Sequence, residues 1–207
     1  RNLTEAQRRG IIAAYYTSTE YMDKNVGLVL DAIRENGLED NTLVLYISDN
    51  GYLLNDHKRF EKHTVWEEAV RQPMIVKAGN GFEKGAKKQA LVEYIDVVPT
   101  IVDWIGLKPL AEAQGKSFLR VLRNETDNHK EYVFSEYLED NLAMVCTSKW
   151  KYMFTTGSRD LGIGYATGFG PSGIVHRLYD LENDPSEIHD VSKEVKNAEI
   201  LLRLQKQ

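Results

Sequence analysis

The sequence is poor in cysteine and has no long apolar run. Cys146 is the one cysteine among 207 residues, which excludes an internal disulfide framework and a zinc site built from several cysteines. We expect Cys146 to pack in a core. No stretch approaches the ~20 consecutive apolar residues of a membrane-spanning helix, so no membrane partner is expected. We also recognise no sorting signal in this stretch of sequence. Because such a signal would be expected nearer the N-terminus of a longer protein, a periplasmic or secreted location stays open.

An excess of positive charge is also absent. Lys and Arg number 26 against 31 Asp and Glu, which gives a formal net charge of −5 at pH 7 and argues against nucleic acid as a partner. Small anionic or sugar substrates stay compatible with this charge, because local charge decides their binding. With 42 % hydrophobic and 28 % charged residues, the composition is that of a globular protein of one domain or slightly more.

The most informative stretch begins at Leu43. Leu43 to Ile47 is a short apolar and aromatic run, which predicts a buried strand rather than a helix. Ser48, Asp49 and Asn50 follow at the carboxyl end of that strand, where α/β sheets collect ligands. Carboxylate and amide oxygens suit a hard cation such as Ca²⁺ or Mg²⁺. The competing interpretation is an Asn-Gly turn in which Asp49 only accepts backbone hydrogen bonds.

A long helix is predicted ahead of this strand. Thr4, with Gln7 three residues on, has the pattern of a helix N-cap, and apolar residues recur at helical spacing as far as Asn36. Gly37 ends the pattern as a C′ glycine. We expect any break in the helix at Thr17 to Thr19. A helix leading into a buried strand is half of a βαβ unit.

A polar, charge-dense segment follows the strand. Asn50 to Thr64 has no periodicity, which predicts a loop longer than most connections. The loop is basic in an otherwise acidic chain, so it is either an anion-binding loop or a solvated charged one. Its basic residues are His57, Lys58, Arg59, Lys62 and His63.

Beyond the loop the sequence predicts further strands and helices. Glu67 and Glu68 fall in a short helix, and two neighbouring carboxylates are compatible with general acid–base chemistry. Met74 to Lys77 and Ala90 to Tyr94 are predicted strands, and Asp96 is predicted to cap a helix through Ile105.

A smaller second domain is predicted after the polar stretch Asn124 to Lys130, so we divide the chain into residues 1–125 and 126–207. The glycine-rich stretch Gly157 to Gly173 is interpreted as a mobile lid, and His176 as a surface or packing histidine. The domain combines an antiparallel sheet with one helix. Its predicted elements are the strands Glu131 to Tyr137, Leu142 to Thr147, Trp150 to Thr155 and Arg177 to Leu181, and a helix from about Glu194 to Leu204.

Taken together, the motifs resemble the sulfatase family within the alkaline phosphatase superfamily. Each motif alone is weak, but they occur in the family's order over nearly the whole chain. The resemblance is carried by Tyr15 to Gly27, Gly37 to Val44, Ser48-Asp49-Asn50-Gly51, Leu54 to His57, Lys62, Trp66-Glu67-Glu68-Ala69, Arg71, Pro73, Asp96 to Thr100 and Leu178 to Pro185.

The resemblance implies roles for the residues around the strand end. In sulfatases an Asp-Asn or Asp-His pair at this place binds a divalent metal, usually Ca²⁺, which carries over to Asp49 and Asn50. A lysine shortly beyond contacts the substrate sulfate, which carries over to Lys62. Many members have Gly-acid-His-Gly where this chain has Asn55 to Lys58, and we assign His57 with Lys62 to catalysis and substrate binding. Glu67 and Glu68 are implied to be structural, with Arg71 or a neighbour pairing a glutamate.

The resemblance also shows what this chain lacks. The family's nucleophile is a Cys or Ser in a Cys/Ser-x-Pro/Ala-x-Arg motif, converted to formylglycine, whereas Cys146 is followed by Thr147-Ser148-Lys149-Trp150. A second acidic metal-binding pair is missing as well. The chain therefore resembles the C-terminal portion of a sulfatase. The implied fold is α/β: the end of a mixed-sheet α/β/α domain, followed by a small α+β subdomain with an antiparallel four-stranded sheet.

Three hypotheses for function follow. The first is a fragment of a sulfuric ester hydrolase that acts on a sulfated small molecule or sulfated carbohydrate. Its cofactors would be a divalent metal, Ca²⁺ by the resemblance, and a formylglycine in the missing N-terminal part. The second is a phosphoric or phosphonic ester hydrolase of the same superfamily, which shares the metal pocket. The third is an inactive structural or sugar-binding fragment. A homodimer is a candidate assembly.

Overall fold

The computed structural model describes residues 3–79, 82–137, 141–156 and 173–207. They form two compact units: residues up to 62 together with 71–81, and residues 63–70 together with 82–207. The predicted lid, Gly157 to Gly173, lies outside the described residues except for Gly173. The predicted domain boundary between residues 125 and 126 stays a prediction.

The first unit begins with a long helix, α1 (Glu5–Glu35). A capping box fixes its start: the Thr4 hydroxyl accepts a hydrogen bond from the Gln7 N–H at 3.2 Å, and the Gln7 side chain accepts one from the Thr4 N–H at 2.9 Å. Gly37 follows its end with a φ of +67°, which glycine adopts without strain. The helix runs unbroken through Thr17 to Thr19. The three hydroxyls there donate to the carbonyls four residues earlier, so they are satisfied within the helix.

Length alone does not make α1 a membrane helix. It has 31 residues, but neither it nor any other helix in the described ranges is apolar enough to cross a bilayer.

The predicted strand after α1 is present as β1 (Val44–Ile47), and it pairs antiparallel with β2 (Met74–Lys77). The prediction that β1 is buried was wrong, since its residues are half-buried and Ile47 is 38 % exposed. A strand is buried when layers cover both faces. Within the described residues β1 has β2 as its one paired neighbour, and the Tyr46 hydroxyl contacts the Met22 sulfur of α1 at 3.4 Å.

The second unit begins with short helices. They are α2 (Glu67–Val70), α3 (Val97–Trp104) and α4 (Leu119–Leu122). The predicted strand Ala90 to Tyr94 is reduced to one bridge between Leu91 and Lys130. The reason lies at Tyr94–Asp96, which winds into a 3₁₀ turn held by a hydrogen bond from the Glu93 N–H to the Asp96 carboxylate.

The four-stranded antiparallel meander is confirmed. Its order is β3-β4-β5-β6, and helix α5 (Ala198–Leu204) follows a 3₁₀ turn at Val195–Asn197. The strands are β3 (Val133–Tyr137), β4 (Leu142–Cys146), β5 (Trp150–Thr155) and β6 (Val175–Asp180).

Both faces of this sheet carry buried side chains. On one face Val145, Tyr152 and Leu178 form a core cluster with Leu204 of α5. On the other face Lys151 lies opposite Cys146 on β4 and Tyr179 on β6. Cys146 is buried, as expected from its sequence context.

Candidate functional site

The polar residues that follow β1 form a tight turn held by local hydrogen bonds. The Ser48 hydroxyl donates to the Asn50 carbonyl at 2.7 Å, and the Asn50 N–H donates to Oδ1 of Asp49 at 2.9 Å. Asp49 is exposed and Asn50 is half-buried. The side chains therefore stand at the strand's carboxyl end, outside the core. That their oxygens share one ligand stays a prediction.

The donor set fits part of a hard-cation site. Asp49 offers a carboxylate and Asn50 an amide oxygen, the ligand types that Ca²⁺ and Mg²⁺ take. In the part of the chain that the structure describes, no group of three or more His, Cys, Asp or Glu is placed to hold a metal ion. The residues present thus supply two ligands, and the six to eight that Ca²⁺ takes would have to be completed by other groups.

The basic loop after the turn is a folded hairpin-like segment. The Leu53 N–H donates to the Glu61 carbonyl at 2.8 Å, and the Asn55 N–H donates to the Arg59 carbonyl at 2.9 Å. The side chain of Leu53 is fully buried, which fixes one arm of the loop. The sequence pattern indicated a loop but missed this internal pairing.

The tip of the loop adopts left-handed backbone conformations. Asn55, His57 and Lys58 have φ values of 87°, 49° and 59°. Positions 55 and 58 are the two where the resemblance places glycine, and a positive φ is the conformation that glycine favours. The Asp56 carboxylate accepts the Leu54 N–H at 2.9 Å and holds the entry to the tip. Asn55 and Lys58, which stand where the resemblance places glycine, therefore keep the left-handed backbone conformation that glycine favours.

Lys62 lies in the same loop, directly after the paired residues 53–61, with its side chain exposed. Among the described residues Lys62 makes no ion pair, and the acids nearest to it in the sequence are paired with other cations. Glu61 pairs with Arg59, and Glu67 pairs with Lys151 at 2.8 Å. His57, the other predicted catalytic residue, is half-buried at the loop tip. The roles of Lys62 and His57 stay predictions.

Glu67 takes part in a buried ion cluster around Lys151, a residue that the sequence analysis did not single out. The Lys151 ammonium lies 2.8 Å from Oε1 of Glu67 and 3.0 Å from Oε1 of Glu187. The Glu67 N–H donates to Oε2 of Glu187 at 2.7 Å. Lys151 and Glu187 are 0 % and 1 % exposed. Burial raises the pKa of Glu187 to about 7, since the charge of Lys151 and the Glu67 N–H offset only part of the desolvation.

Asp96 is the centre of a second buried network. It stands at the N-cap position of α3, as predicted, but its side chain makes no cap hydrogen bond to that helix. Its carboxylate accepts the N–H groups of Glu93 and Lys116 at 2.9 and 2.8 Å and lies 2.8 Å from the Lys130 ammonium and 3.1 Å from Nε2 of His129. Burial works to raise the pKa of Asp96, but the hydrogen bonds from Lys130, Lys116 and Glu93 outweigh it and lower the pKa below its usual range. The side chain is occupied by this network and makes no cap bond to α3.

His176 packs as expected for a surface or packing histidine. Its ring stacks on Tyr152, and Nδ1 lies 2.6 Å from the Tyr152 hydroxyl.

Lys151, Glu187 and Lys130 were missed by the sequence analysis. The available signal for Lys151 was its place in a strand between two apolar strands, where it lies opposite Cys146 and Tyr179. Lysine is rarely buried without a partner, so a lysine on a covered face implies nearby carboxylates.

Two family models match the chain. Residues 2–107 match the model described as Sulfatase, and residues 55–207 match the model described as N-sulphoglucosamine sulphohydrolase, C-terminal. Arylsulfatase K from Danio rerio is 28 % identical over 201 residues, which cover 93 % of this chain and 36 % of that protein. The chain spans about a third of the length of the curated relatives it matches, with 33 % and 36 % for two of them.

Solved structures share the fold. The structure of a 2-O GAG sulfatase aligns with a TM-score of 0.80 and 28 % identity, over 98 % of this chain and 43 % of that one. The phosphonate monoester hydrolase from Silicibacter pomeroyi aligns with a TM-score of 0.81 and 24 % identity, over all of this chain and 42 % of that one. At 24 % identity the similarity to the phosphonate monoester hydrolase shows a common fold and nothing more.

Proposed function

The chain belongs to the sulfatase family, and from that membership we propose that it supplies the C-terminal part of a sulfuric ester hydrolase of the arylsulfatase or carbohydrate sulfatase type. The full enzyme cleaves a sulfate ester, and this chain contributes part of its metal and sulfate-binding site.

The observation that carries the proposal is that the side chain of Lys62 is exposed and makes no ion pair among the described residues. It follows the turn that holds Asp49 and Asn50 in the sequence. The neighbouring acids Glu61 and Glu67 are paired with Arg59 and Lys151 instead. In sulfate ester hydrolysis negative charge is redistributed over the sulfate and the leaving oxygen. A fixed ammonium stabilises such charge in the transition state. We assign Lys62 to the sulfate oxygens and His57 to the same substrate.

Asp49 and Asn50 are assigned to a divalent metal, which we propose to be Ca²⁺. When bound, the metal supplies Lewis-acid polarisation of a sulfate oxygen. Within this chain the Ser48 and Asn50 hydrogen bonds fix the turn, so that the Asp49 carboxylate and the Asn50 amide are held at the strand end.

Cys146 is unsuited to be the nucleophile. It is 5 % exposed, its thiol donates to the Thr147 carbonyl at 3.1 Å, and the motif for formylglycine formation does not follow it. We therefore assign the attacking group to a formylglycine in a part of the enzyme that this chain does not include.

The substrate class proposed is a sulfated sugar or a sulfated small molecule. The support comes from the relatives' names, a 2-O GAG sulfatase among the solved structures and an arylsulfatase among the curated proteins. Phosphoric or phosphonic ester hydrolysis is the second candidate, because a phosphonate monoester hydrolase has the same fold over the whole chain.

Ester preference tests the proposal. The full-length protein is assayed on p-nitrophenyl sulfate and on a p-nitrophenyl phosphonate monoester, with an Asp49→Ala preparation as the blank for contaminating host enzymes. We expect a higher kcat/KM on the sulfate ester, and its loss in the Asp49→Ala protein. A higher kcat/KM on the phosphonate would favour the second candidate, and no turnover of either ester would favour an inactive protein.

The isolated chain is a further control. Without a formylglycine no covalent intermediate forms, so the purified 207-residue chain is expected to turn over neither ester. Turnover by this chain alone would contradict the assignment of the nucleophile.

A further inference from the structure

The paired loop returns the chain to the turn after β1 from which it started. Leu53 and Glu61 would lie roughly 27 Å apart in an extended chain, yet the Leu53 nitrogen lies 2.8 Å from the Glu61 carbonyl oxygen. The first arm of the loop, residues 52–55, begins directly after the turn, and the second arm, residues 59–61, leads directly into Lys62. The base of the loop therefore sets how far Lys62 can lie from the turn.

The side chain of Tyr52 spans this base. Tyr52 stands at the start of the first arm, and its hydroxyl donates to the Phe60 carbonyl on the second arm at 3.2 Å. This bond joins the arms beside the backbone pair of Leu53 and Glu61, two residues before Lys62. Because Tyr52 is half-buried, water competes less for this hydrogen bond than it would at a fully exposed site.

The ring of Tyr52 has a second anchor, on α1. It stacks on the ring of Tyr15 with 5.7 Å between the centroids and 29° between the planes. Aromatic pairs favour defined arrangements of this kind, and α1 is a helix of 31 residues whose start is fixed by a capping box. Tyr52 therefore holds the second arm relative to α1 as well as relative to the first arm. All of these residues belong to one compact unit.

Stability alone does not explain a phenol at this place. Two backbone hydrogen bonds already join the arms, and the fully buried Leu53 fixes the first arm. A further hydrogen bond adds little net stability, since it replaces bonds that the same groups make to water in the unfolded chain. What the Tyr52 hydroxyl adds is a set distance and direction at the end of the second arm, close to Lys62.

We propose that Tyr52 is a positioning residue for Lys62, which holds the second arm so that the ammonium meets the sulfate of the substrate. This inference rests on the proposed function, in which Lys62 contacts the sulfate and Asp49 and Asn50 bind the metal. A displacement of about 1 Å in a catalytic group can lower a rate about 10²-fold, so a loosened loop base reaches the chemistry. Tyr52 acts through Lys62 and does not itself touch substrate.

A double-mutant cycle in the full-length protein tests the proposal, with p-nitrophenyl sulfate as the substrate. The variants are Lys62→Ala, Tyr52→Phe and the two combined, and kcat and KM are measured per mole of folded enzyme. Lys62→Ala is expected to lower kcat/KM about 10²-fold. Tyr52→Phe keeps the ring and removes only the hydroxyl, and should lower kcat/KM about fivefold, in kcat rather than in KM. In the Lys62→Ala background Tyr52→Phe should change kcat/KM less than about twofold, since the residue it positions is already gone.

A second variant and a control use the neighbouring tyrosines of α1. Tyr15→Leu removes the stacking partner of Tyr52, and Tyr15 is 40 % exposed, so the helix tolerates the change. It should lower kcat about threefold, and this loss should also disappear in the Lys62→Ala background. Tyr16→Phe is the control: the side chain of Tyr16 is 64 % exposed, and loss of its hydroxyl should leave kcat/KM within about twofold in either background.

The outcomes separate the inference from the function beneath it. Equal factors for Tyr52→Phe with and without Lys62 would overturn the positioning role and leave the proposed function standing. So would a Tyr52→Phe protein with an unchanged kcat and a lower melting temperature, which is the result of a purely structural role. An effect of Lys62→Ala below about twofold would overturn the role of Lys62 in the proposed function, and the positioning role with it.

Discussion

The loop after β1 and the buried face of the four-stranded sheet use the same residue types in opposite ways. Both contain lysine with carboxylates nearby. In the loop, Asp49 and Lys62 are exposed and the backbone is strained at its tip, whereas on the sheet Lys151 and Glu187 are buried and bonded to each other. Exposed charged groups can bind a ligand, whereas charged groups that are paired in the interior hold neighbouring segments in place.

The largest effect expected from this difference is on stability at the buried face. Lys151→Met leaves Glu67 and Glu187 without their cation, and breaking a buried ion pair from one side costs about 3–5 kcal/mol. Lys149→Met, whose ammonium is half-exposed, should cost less than about 1 kcal/mol. Urea unfolding of both variants beside the parent measures the contrast. Equal losses in the two variants would mean that burial does not distinguish the lysines.

The pH dependence of stability sharpens the same contrast. The pKa of Glu187 is raised to about 7, so its contribution to folding is fully present below the ordinary value of 4.5 and is lost as the pH rises through about 7. The parent should therefore lose about 3 kcal/mol relative to Glu187→Gln between pH 4.5 and pH 7.5. Unfolding free energies of both proteins are measured across this range, with Glu182→Gln, at an exposed glutamate, as the matched surface substitution. A flat difference for Glu187→Gln would contradict the raised pKa.

The smallest expected effect is at the strained tip of the loop. Lys58 has a φ of 59°, so Lys58→Gly should relieve strain and raise stability by ~0.5–1 kcal/mol. The gain for Asn55→Gly should be smaller, because asparagine tolerates this region better than lysine does. Lys24→Gly, in the interior of α1, should instead lower stability by about 1 kcal/mol. Thermal melts decide the sign, and a loss in Lys58→Gly would mean that the tip is not strained.

The sequence predicted the regular elements where a period or a cap determines them. The Thr4 capping box and Gly37 bound α1, and short apolar and aromatic runs separated by turn residues mark the strands of the meander. It could not predict which strand faces are covered, since alternation assigns Lys151 to a face without showing what packs on that face. For the same reason the apolar run at Leu43 to Ile47 predicted burial that the described neighbours of β1 do not provide.

The candidate site was predictable in part. Placement of Asp49 and Asn50 after a strand follows from chain order, but the folded hairpin at residues 53–61 depends on backbone pairing without a side-chain period. The role of Asp96 was missed because its partners Lys116 and Lys130 are far along the chain.

The central claim is that Lys62 is an exposed charge kept for substrate, and steady-state kinetics on Lys62→Ala in the full-length protein test it most directly. Loss of one preorganised charge contact costs about 3 kcal/mol, so kcat/KM on p-nitrophenyl sulfate should fall about 10²-fold or more while the melting temperature barely moves. Lys58→Ala, in the same loop, should stay within about twofold if position rather than the loop's charge matters. A Lys62→Ala enzyme that keeps its kcat/KM within about twofold would contradict the account.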